Sequence, residues 1–453
     1  MRSSWSRIAR NAPVLVAAVA TAACALCHAA HSSGAITVPG LDGLERATYD
    51  IRAQLRRSRR PRTADLVIVD TAQARAALDS HDGWAALIDA IADREPLAIA
   101  ILAPLPYPER HLSPKIATQV HQARAALAAL PTRTTAGESA LAALAAVEGA
   151  VDSDVRLAHS VAAAGNVHLG TAAVMRATGP AGKLKIEPAA LRTARLGDAG
   201  EVSAHERPYR AQSISATIDP VARKAHAGGF STFITDPDGV TRRAPAAIVA
   251  GDGLYMSLAM SLALARIGPR AEASFAAADR FLALPGTQVP LADHSTVLIS
   301  YLGPAGTFPR VDAAALLAGE GPPVTLAGKL VIVSDPRGRR LQTPLGPMSE
   351  AEVTATYVHN LLFDEALTTA SPLVTLLIIA LLGAGLTTLA ARHRWRWIAP
   401  AAVWSALGYA LIAHIFYVGF GLVLEVAAPV IAAAVIAAAP LVTRRVLNRQ
   451  GAP

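Results

Sequence analysis

The feature that most constrains this chain is a set of four apolar runs, one near the N-terminus and three close together near the C-terminus. They cover residues 13–30, 373–391, 398–418 and 422–442. Each is close to the roughly 20 residues that a helix needs to cross the apolar core of a bilayer. The pattern therefore predicts four transmembrane helices with a large segment between the first and the second.

The composition agrees with this division. The chain is 52% hydrophobic and 17% charged, which excludes an intrinsically disordered protein. Both cysteines, Cys24 and Cys27, lie in the first apolar run, so the segment between the first and second runs has none. A disulfide framework, a cysteine-bound zinc and a catalytic thiol are therefore excluded there.

The first apolar run has two interpretations. Arginines precede it and small residues follow it, as in a cleavable secretory signal, but it is also long enough to remain as a membrane anchor. We favour an uncleaved anchor over residues 1–30.

Arginines predict the orientation of the four helices. They cluster before the first run, between the second and third, and after the fourth: Arg2, Arg7, Arg10, Arg392, Arg394, Arg396, Arg444, Arg445 and Arg449. With four crossings all three clusters face one side, and the positive-inside rule makes that side the cytoplasm. We expect residues 31–371 to be exported across a bacterial inner membrane, with three membrane helices over 372–443 and a cytoplasmic tail over 444–453.

The exported segment alternates strand and helix patterns. Short apolar runs of the kind that form buried parallel strands alternate with helical patterns, and prolines punctuate an alanine-rich stretch over 104–150. The predicted strands are 66–70, 97–102, 167–174, 230–235, 243–249, 296–302 and 330–333, and the predicted helices include 84–92, 156–164, 254–267 and 353–362. These elements predict a three-layer α/β domain with a mostly parallel sheet and an inserted segment of two helices around a loop at 131–137.

A Pro-Asp-Gly turn follows the strand predicted at 230–235. Its residues Asp236, Asp238 and Gly239 suit a tight turn, and the strand predicted after it makes the segment a β-hairpin. A calcium loop of the EF-hand type is excluded, because its first and last ligand positions would be Ile234 and Pro245. We interpret the three turn residues as structural.

Few residues indicate chemistry. Residues 71–83 contain a single glycine, Gly83, which disfavours a Rossmann-type nucleotide site. His159 and His168 lack the spacing of metal ligands, and no nucleophile elbow is present. The sequence therefore predicts a protein that is not an enzyme and that carries no cofactor and no metal.

Asp70 is the one candidate ligand-binding residue. It ends the strand predicted at 66–70, where an acid is placed to hold a ligand or a cation in a cleft. The same acid could instead cap the next helix or bond to a loop. Both interpretations stay open from the sequence.

A basic run over residues 56–62 raises the question of nucleic acid. The predicted topology places this run outside the cytoplasm, so a solvated loop near anionic lipid is the better interpretation. We expect no nucleic-acid partner.

Several motifs together resemble the second class of CHASE domains, the extracellular sensory modules of bacterial transmembrane receptors. The motifs are LVIVD at 66–70, DPDGVTRR at 236–243, ISYLGPAGTFPRVD at 299–312, GKLVIV at 328–333 and VHNLL at 358–362. The resemblance covers about residues 40–371, and the layout of one helix, a sensor and three helices is also similar. It implies a non-enzymatic sensor that receives a small molecule or an envelope component.

The resemblance also implies what else the protein works with. In that family the last helices lead to a cytoplasmic output domain, whereas this chain stops at Pro453. We expect a separate protein partner to supply the output, with the lipid bilayer and a second copy of the chain as further partners. Leu102 and Ala103 stand where the family has an acid, so a cell-envelope scaffold with a degenerate sensor domain is the alternative.

Overall fold

The computed structural model describes most of the chain. The described residues are 2–56, 61, 65–109, 114–129, 137–144, 152–176, 182, 187–199, 208–268, 273–276, 281–321, 324–392 and 394–449. Most of the basic run at 56–62, residues 131–136 of the predicted loop and the last four residues of the predicted tail lie outside them.

The described helices alternate with many short strands. The helices are α1 Arg2–Ser32, α2 Leu41–Leu55, α3 His81–Ala92, α4 Pro114–Ala128, α5 137–144, α6 Ser153–Ala164, α7 Ala189–Arg192, α8 Asp219–Ala222, α9 Leu258–Ile267, α10 Ala313–Leu317, α11 Glu350–Phe363, α12 Pro372–Ala391, α13 Ile398–Phe420 and α14 Ala427–Arg449. The strands are β1 Leu66–Asp70, β2 Ala98–Ile101, β3 Val167–Arg176, β4 Arg195–Asp198, β5 Tyr209–Ser215, β6 Ala227–Phe230, β7 Arg243–Pro245, β8 Ala247–Ala250, β9 Gly253–Met256, β10 Ser274–Ala276, β11 Phe281–Leu284, β12 Thr287–Pro290, β13 Thr296–Leu298, β14 Arg310–Asp312, β15 Leu330–Val333, β16 Arg340–Thr343, β17 Gly346–Ser349, β18 Thr368–Thr369 and β19 Leu422–Val423.

The chain divides into two compact units. The membrane unit consists of residues 1–57 and 367–453, and the sheet unit consists of residues 58–366. The inserted segment belongs to the sheet unit, and α4 and α5 are its two helices.

Four helices of the membrane unit are long and apolar enough to cross a membrane. They are Asn11–Ser32, Pro372–Ala391, Trp395–Phe420 and Ala427–Arg449. The prediction of four spans is therefore confirmed at the level of length and composition. The fourth begins five residues later than predicted, because Leu422–Val423 pair with Thr368–Thr369 as short parallel strands instead of joining the helix.

The largest sheet of the sheet unit is mostly parallel, as predicted. Its strand order is β14-β1-β15-β2-β3-β5-β8-β9-β4, and β6 also pairs with β3. The strands from β14 to β3 are all parallel to their neighbours, while β3–β5, β8–β9 and β4–β9 are antiparallel. The unit is thus a mixed α/β fold.

Successive side chains of the central strands enter two different hydrophobic clusters. In β1, Leu66 and Ile68 pack in a cluster with residues of α9 and α11, whereas Val67 and Val69 pack in a cluster with residues of α3 and α6. This follows from the two-residue period of a strand, which sends alternate side chains to opposite faces. Continuous apolar runs such as Leu66 to Val69 are therefore buried on both faces.

The prediction of a β-hairpin around residue 237 is wrong. β6 ends at Phe230 and pairs with β3, whereas β7 begins at Arg243 and pairs with β13. Local turn chemistry predicted a close return of the chain, but the flanking residues find hydrogen-bond partners in distant strands. The turn connects two sheets.

Candidate functional site

The carboxyl ends of β1, β14 and β15 meet at one edge of the sheet. The parallel register places Asp70 beside Asp312 and Val69 beside Val333. Just beyond the strands, Thr71 donates its amide to the Ser334 hydroxyl at 3.1 Å and its own hydroxyl to the Ser334 carbonyl at 3.1 Å. These bonds fix the segments that follow β1 and β15 against each other.

Asp70 lies partly exposed at this edge, and both of its carboxylate oxygens have partners. Oδ1 accepts the amide of Ala72 at 3.0 Å, and Oδ2 lies 3.4 Å from Nη1 of Arg310. The helix that follows, α3, is capped by the hydroxyl of Ser80. The sequence left two structural roles for Asp70, a cap of the next helix or a bond to a loop. The geometry shows the bond to the loop, at the amide of Ala72.

Arg310 connects Asp70 to a buried acid on the last helix of the sheet unit. Its second amino group contacts Glu352 in the first turn of α11. Glu352 also accepts the amides of Gly306 at 2.5 Å and Ser349 at 3.0 Å, the latter in a capping box. We call Asp70, Arg310 and Glu352 the edge cluster.

The electrostatics of the edge cluster favour a charged Glu352. Burial alone raises the pKa of this carboxyl, but the hydrogen bonds from Gly306 and Ser349 and the guanidinium of Arg310 outweigh it. The pKa of Glu352 is therefore below its ordinary value, and the ion pair with Arg310 persists at neutral pH.

The segment 299–312, the most specific motif of the sequence, is fastened to α11 at two places. Gly306 donates to Glu352, and Ser300 exchanges two bonds with the Asn360 side chain, at 2.8 and 3.1 Å. Ser300 and Asn360 are fully buried. The motif thus joins the carboxyl edge of the sheet to α11, the helix that precedes the second span in the chain.

A second polar group at the carboxyl edge was not predicted from the sequence. His81, the first residue of α3, has Nδ1 2.6 Å from Oδ1 of Asp154 in the first turn of α6. Both side chains are buried, and Glu109 joins them by donating its amide to Asp154 and accepting the amide of His81. Ser80 and Asp152, which cap α3 and α6, are residue types that favour helix N-termini. The pairing of His81 with Asp154, however, spans 73 residues and no local spacing shows it.

The predicted structural turn is held by a buried arginine. Gly239 has φ of 80° and donates its amide to the Asp236 carbonyl at 2.8 Å. Arg242 then bonds to Asp236 and Asp238, each at 2.8 Å. Both acids of the turn are therefore engaged by Arg242.

The membrane unit contains a further polar group between α2 and the α13–α14 connection. The Glu45 carboxylate accepts the amides of Val426 at 2.9 Å and Ala427 at 2.7 Å, at the start of α14. Arg52 follows Glu45 by seven residues on α2. It donates to the Leu424 carbonyl at 2.8 Å and lies 3.4 Å from Glu45. We call this arrangement the clamp.

The clamp is a partly buried version of helix capping. A carboxylate at a helix N-terminus bonds to amides that lack partners within the helix and interacts favourably with the helix dipole. Burial raises the pKa of Glu45 above its ordinary value, although the bonds from Ala427 and Val426 and the charge of Arg52 lower it. The clamp joins the segment after the first span to the start of the fourth.

The described residues form no candidate metal site. No group of three or more histidine, cysteine, aspartate or glutamate side chains there could hold a metal ion. His168, considered from the sequence, instead bonds through Nδ1 to the Ser261 hydroxyl at 2.7 Å. The structure brings neither Asp236 nor Asp238 to the edge cluster, since both face Arg242.

The fold and these sites define an α/β domain whose sequence lies between apolar, membrane-length helices. A family model described as the CHASE2 domain matches residues 21–390, which is more than half of the chain. The chain therefore belongs to the CHASE2 family, a family of sensory domains, and the resemblance predicted from its motifs is confirmed. No curated protein and no solved structure matches the chain.

Proposed function

We propose that the protein is a non-enzymatic membrane sensor whose exported domain receives a signal and passes it through the transmembrane helices to a separate protein partner. The signal is a small molecule or a component of the cell envelope. The four spans cross a bacterial inner membrane with both termini in the cytoplasm, and residues 31–371 form a three-layer domain on the other side. The arginine clusters support this orientation.

The clamp is the observation that carries this proposal. α2 follows the first span in the chain and leads towards β1, and the clamp bonds α2 to the first turn of α14. A displacement of α2 would break bonds that cap the fourth span. Helix shifts of about 1–2 Å are sufficient to carry signals between states.

The edge cluster is the proposed receiving site. Asp70 and Arg310 are partly exposed at the carboxyl edge of a parallel sheet, where ligands of α/β proteins commonly bind. A polar ligand that drew Arg310 away from Glu352 would loosen the start of α11. Because α11 precedes the second span, both connections of the sheet unit to the membrane helices have a polar contact that can respond.

The alternative is a cell-envelope scaffold that keeps the sensor fold as a docking surface. The specific observation in its favour is that both oxygens of Asp70 already have protein partners, Ala72 and Arg310. These two contacts are sufficient for an acid whose role is purely structural. In either function we propose no nucleic-acid partner, and a homo-oligomer is compatible with both.

The two functions are separated by asking whether a change at the edge cluster reaches the clamp. Val426→Cys, in a background of Cys24→Ser and Cys27→Ser, provides a single thiol at a buried position of the clamp. Under sensing, Arg310→Gln alters the rate of maleimide labelling at position 426 by at least about threefold. The matched control is Arg223→Gln, which removes an equal charge from an exposed pair. Equal rates in both variants would favour the scaffold.

The partner is tested by purification of the tagged protein from its native membranes in mild detergent. We expect at least one additional protein to co-purify in reproducible proportion. Recovery of this chain alone would contradict the proposed transfer of a signal to a partner.

A further inference from the structure

The last turns of α14 carry a basic groove that the proposed function does not use. The groove has a volume of about 330 Å³ and is lined by Leu441, Arg444, Arg445, Asn448 and Arg449. The four polar side chains are exposed, and Leu441 is half-buried at the end nearer the membrane core. We call it the arginine groove.

The charge of the arginine groove is not balanced by neighbouring sequence. Residues 367–453 contain six arginines but a single acid, Glu425, which precedes α14 at the opposite end of the helix. Repulsion among closely spaced guanidinium groups is relieved by an anion that bonds to several of them at once. The groove is therefore built for an anionic partner.

The position of the arginine groove along α14 indicates what that anion is. At about 1.5 Å per residue, Arg444 and Arg449 lie about 26 and 33 Å from Ala427, whereas the apolar core of a bilayer is about 30 Å thick. The guanidinium of Arg444 also lies 5.0 Å from the ring centre of Trp395, a residue type that favours the membrane interface. The groove is at the depth of the lipid headgroups.

We propose that the arginine groove binds the headgroup phosphate of an anionic phospholipid. Arg445 and Arg449, one helical turn apart, bond to the phosphate oxygens, and an acyl chain lies beside Leu441. An acidic protein segment would match the charge but not the adjoining apolar surface at membrane depth. The inference depends on α14 crossing the membrane and is independent of the sensing proposed above.

The test measures phospholipid binding to the full-length protein in a neutral detergent, by native mass spectrometry with titration. Phosphatidylglycerol is compared with phosphatidylcholine of the same acyl chains, and the wild type is expected to retain the former selectively. Arg445→Gln with Arg449→Gln should raise the Kd for phosphatidylglycerol about 25-fold, from about fivefold for each arginine near an anionic group. This pair leaves the stacking of Arg444 on Trp395 in place.

The matched control is Arg392→Gln with Arg396→Gln, which removes the same charge from the α12–α13 connection. We expect less than about a threefold change in this variant. An equal loss in both variants would overturn the proposal, because it would show attraction to a general surface charge. Equal retention of the two lipids by the wild type would also overturn it and would favour an acidic protein segment.

Inorganic phosphate distinguishes a lipid from a free anion. At millimolar concentration it should leave bound phosphatidylglycerol in place, because it cannot replace the contacts of the acyl chain. Complete displacement would overturn the lipid as occupant. Arg445→Lys with Arg449→Lys keeps the charge but loses the guanidinium fork. Its Kd for phosphatidylglycerol should lie between those of the wild type and the glutamine variant. Binding by this variant would show that substitution at these two positions leaves the helix folded.

Discussion

At the scale of single residues, the sheet unit depends on charges buried with their partners. Arg242 is 3% exposed and bonds to two acids of one turn, and Glu352 is 4% exposed and bonds to Arg310. Such pairs add little net stability when complete, but breaking one leaves an uncompensated buried charge. Substitution of one partner is therefore costly.

Arg242→Ala should destabilise the protein strongly. Asp236 is 9% exposed and would lose its main counter-charge, so we expect the free energy of unfolding to fall by about 3–5 kcal/mol. The control, Arg223→Ala, removes an exposed pair with Asp219 and should cost less than about 1 kcal/mol. Urea titration in detergent measures both. Similar values for the two variants would contradict the structural role of the turn.

His168 should make stability depend on pH. Burial, followed by the nearby His226, lowers its pKa to about 3, so the folded protein holds this ring neutral. The unfolded chain binds the proton near pH 6.5, so this contribution is complete above that pH and is lost as the pH falls towards 3. Between pH 7 and pH 5 the free energy of unfolding should fall by about 2 kcal/mol.

His168→Gln removes this titration while keeping a side chain that can bond to Ser261. The difference in unfolding free energy between wild type and variant should therefore narrow as the pH falls from 7 to 5. A constant difference across this range would show that the ring is not held neutral by burial.

At the scale of elements, capping links helices that are far apart in sequence. α11 begins with a capping box that also secures the loop at Gly306, and α14 begins with amides bonded to Glu45 on α2. In both cases the orphan amides of a helix start are satisfied by a carboxylate that serves a second element. Movement of either element is thereby coupled to the end of a helix.

Glu45→Ala should loosen the start of α14. It removes a carboxylate that accepts the amides of Val426 and Ala427, and caps of this kind contribute about 0.5–2 kcal/mol. We expect a lower midpoint of thermal unfolding in detergent and faster labelling of Val426→Cys. Asp42→Ala, which alters an exposed acid on the same helix, is the control and should change neither. Equal effects would contradict the clamp.

At the scale of the whole molecule, the division into a sheet unit and a membrane unit follows the distribution of apolar residues. Within an 18-residue apolar stretch of each of the four helices, 22–28% of the residues are buried within the protein. Such low burial of apolar side chains is the property of helices whose remaining surface faces lipid. A multi-pass membrane protein is the consequence.

Reporter fusions test the proposed topology. A fusion at residue 140 lies in the sheet unit, and a fusion at residue 453 follows α14. With four crossings, a reporter active only outside the cytoplasm should work at 140 and fail at 453, and a cytoplasmic reporter should show the reverse. Activity of one reporter at both positions would contradict four crossings.

Local patterns were sufficient to predict much of this protein. The apolar spans, the parallel strands β1 and β15 and the family motifs depend on residues close in sequence, since span length and strand burial are read from consecutive side chains. β4 and β5 were missed because residues 176–225 show little periodicity. The prediction of a β-hairpin was wrong because the residues of a turn do not determine which distant strands the two flanking segments pair with.

The sequence by itself determined the class of the molecule: four membrane-length helices, a mostly parallel α/β domain and membership of a sensory family. Only the tertiary structure decided the polar contacts, because Arg310 meets Asp70 across 240 positions and Glu45 meets Ala427 across 382. Hydrophobic burial has a period that appears in any window of a few residues. A hydrogen bond forms only at a short distance and a favourable angle between donor and acceptor. Groups that lie far apart in the sequence reach that geometry only after the chain has folded.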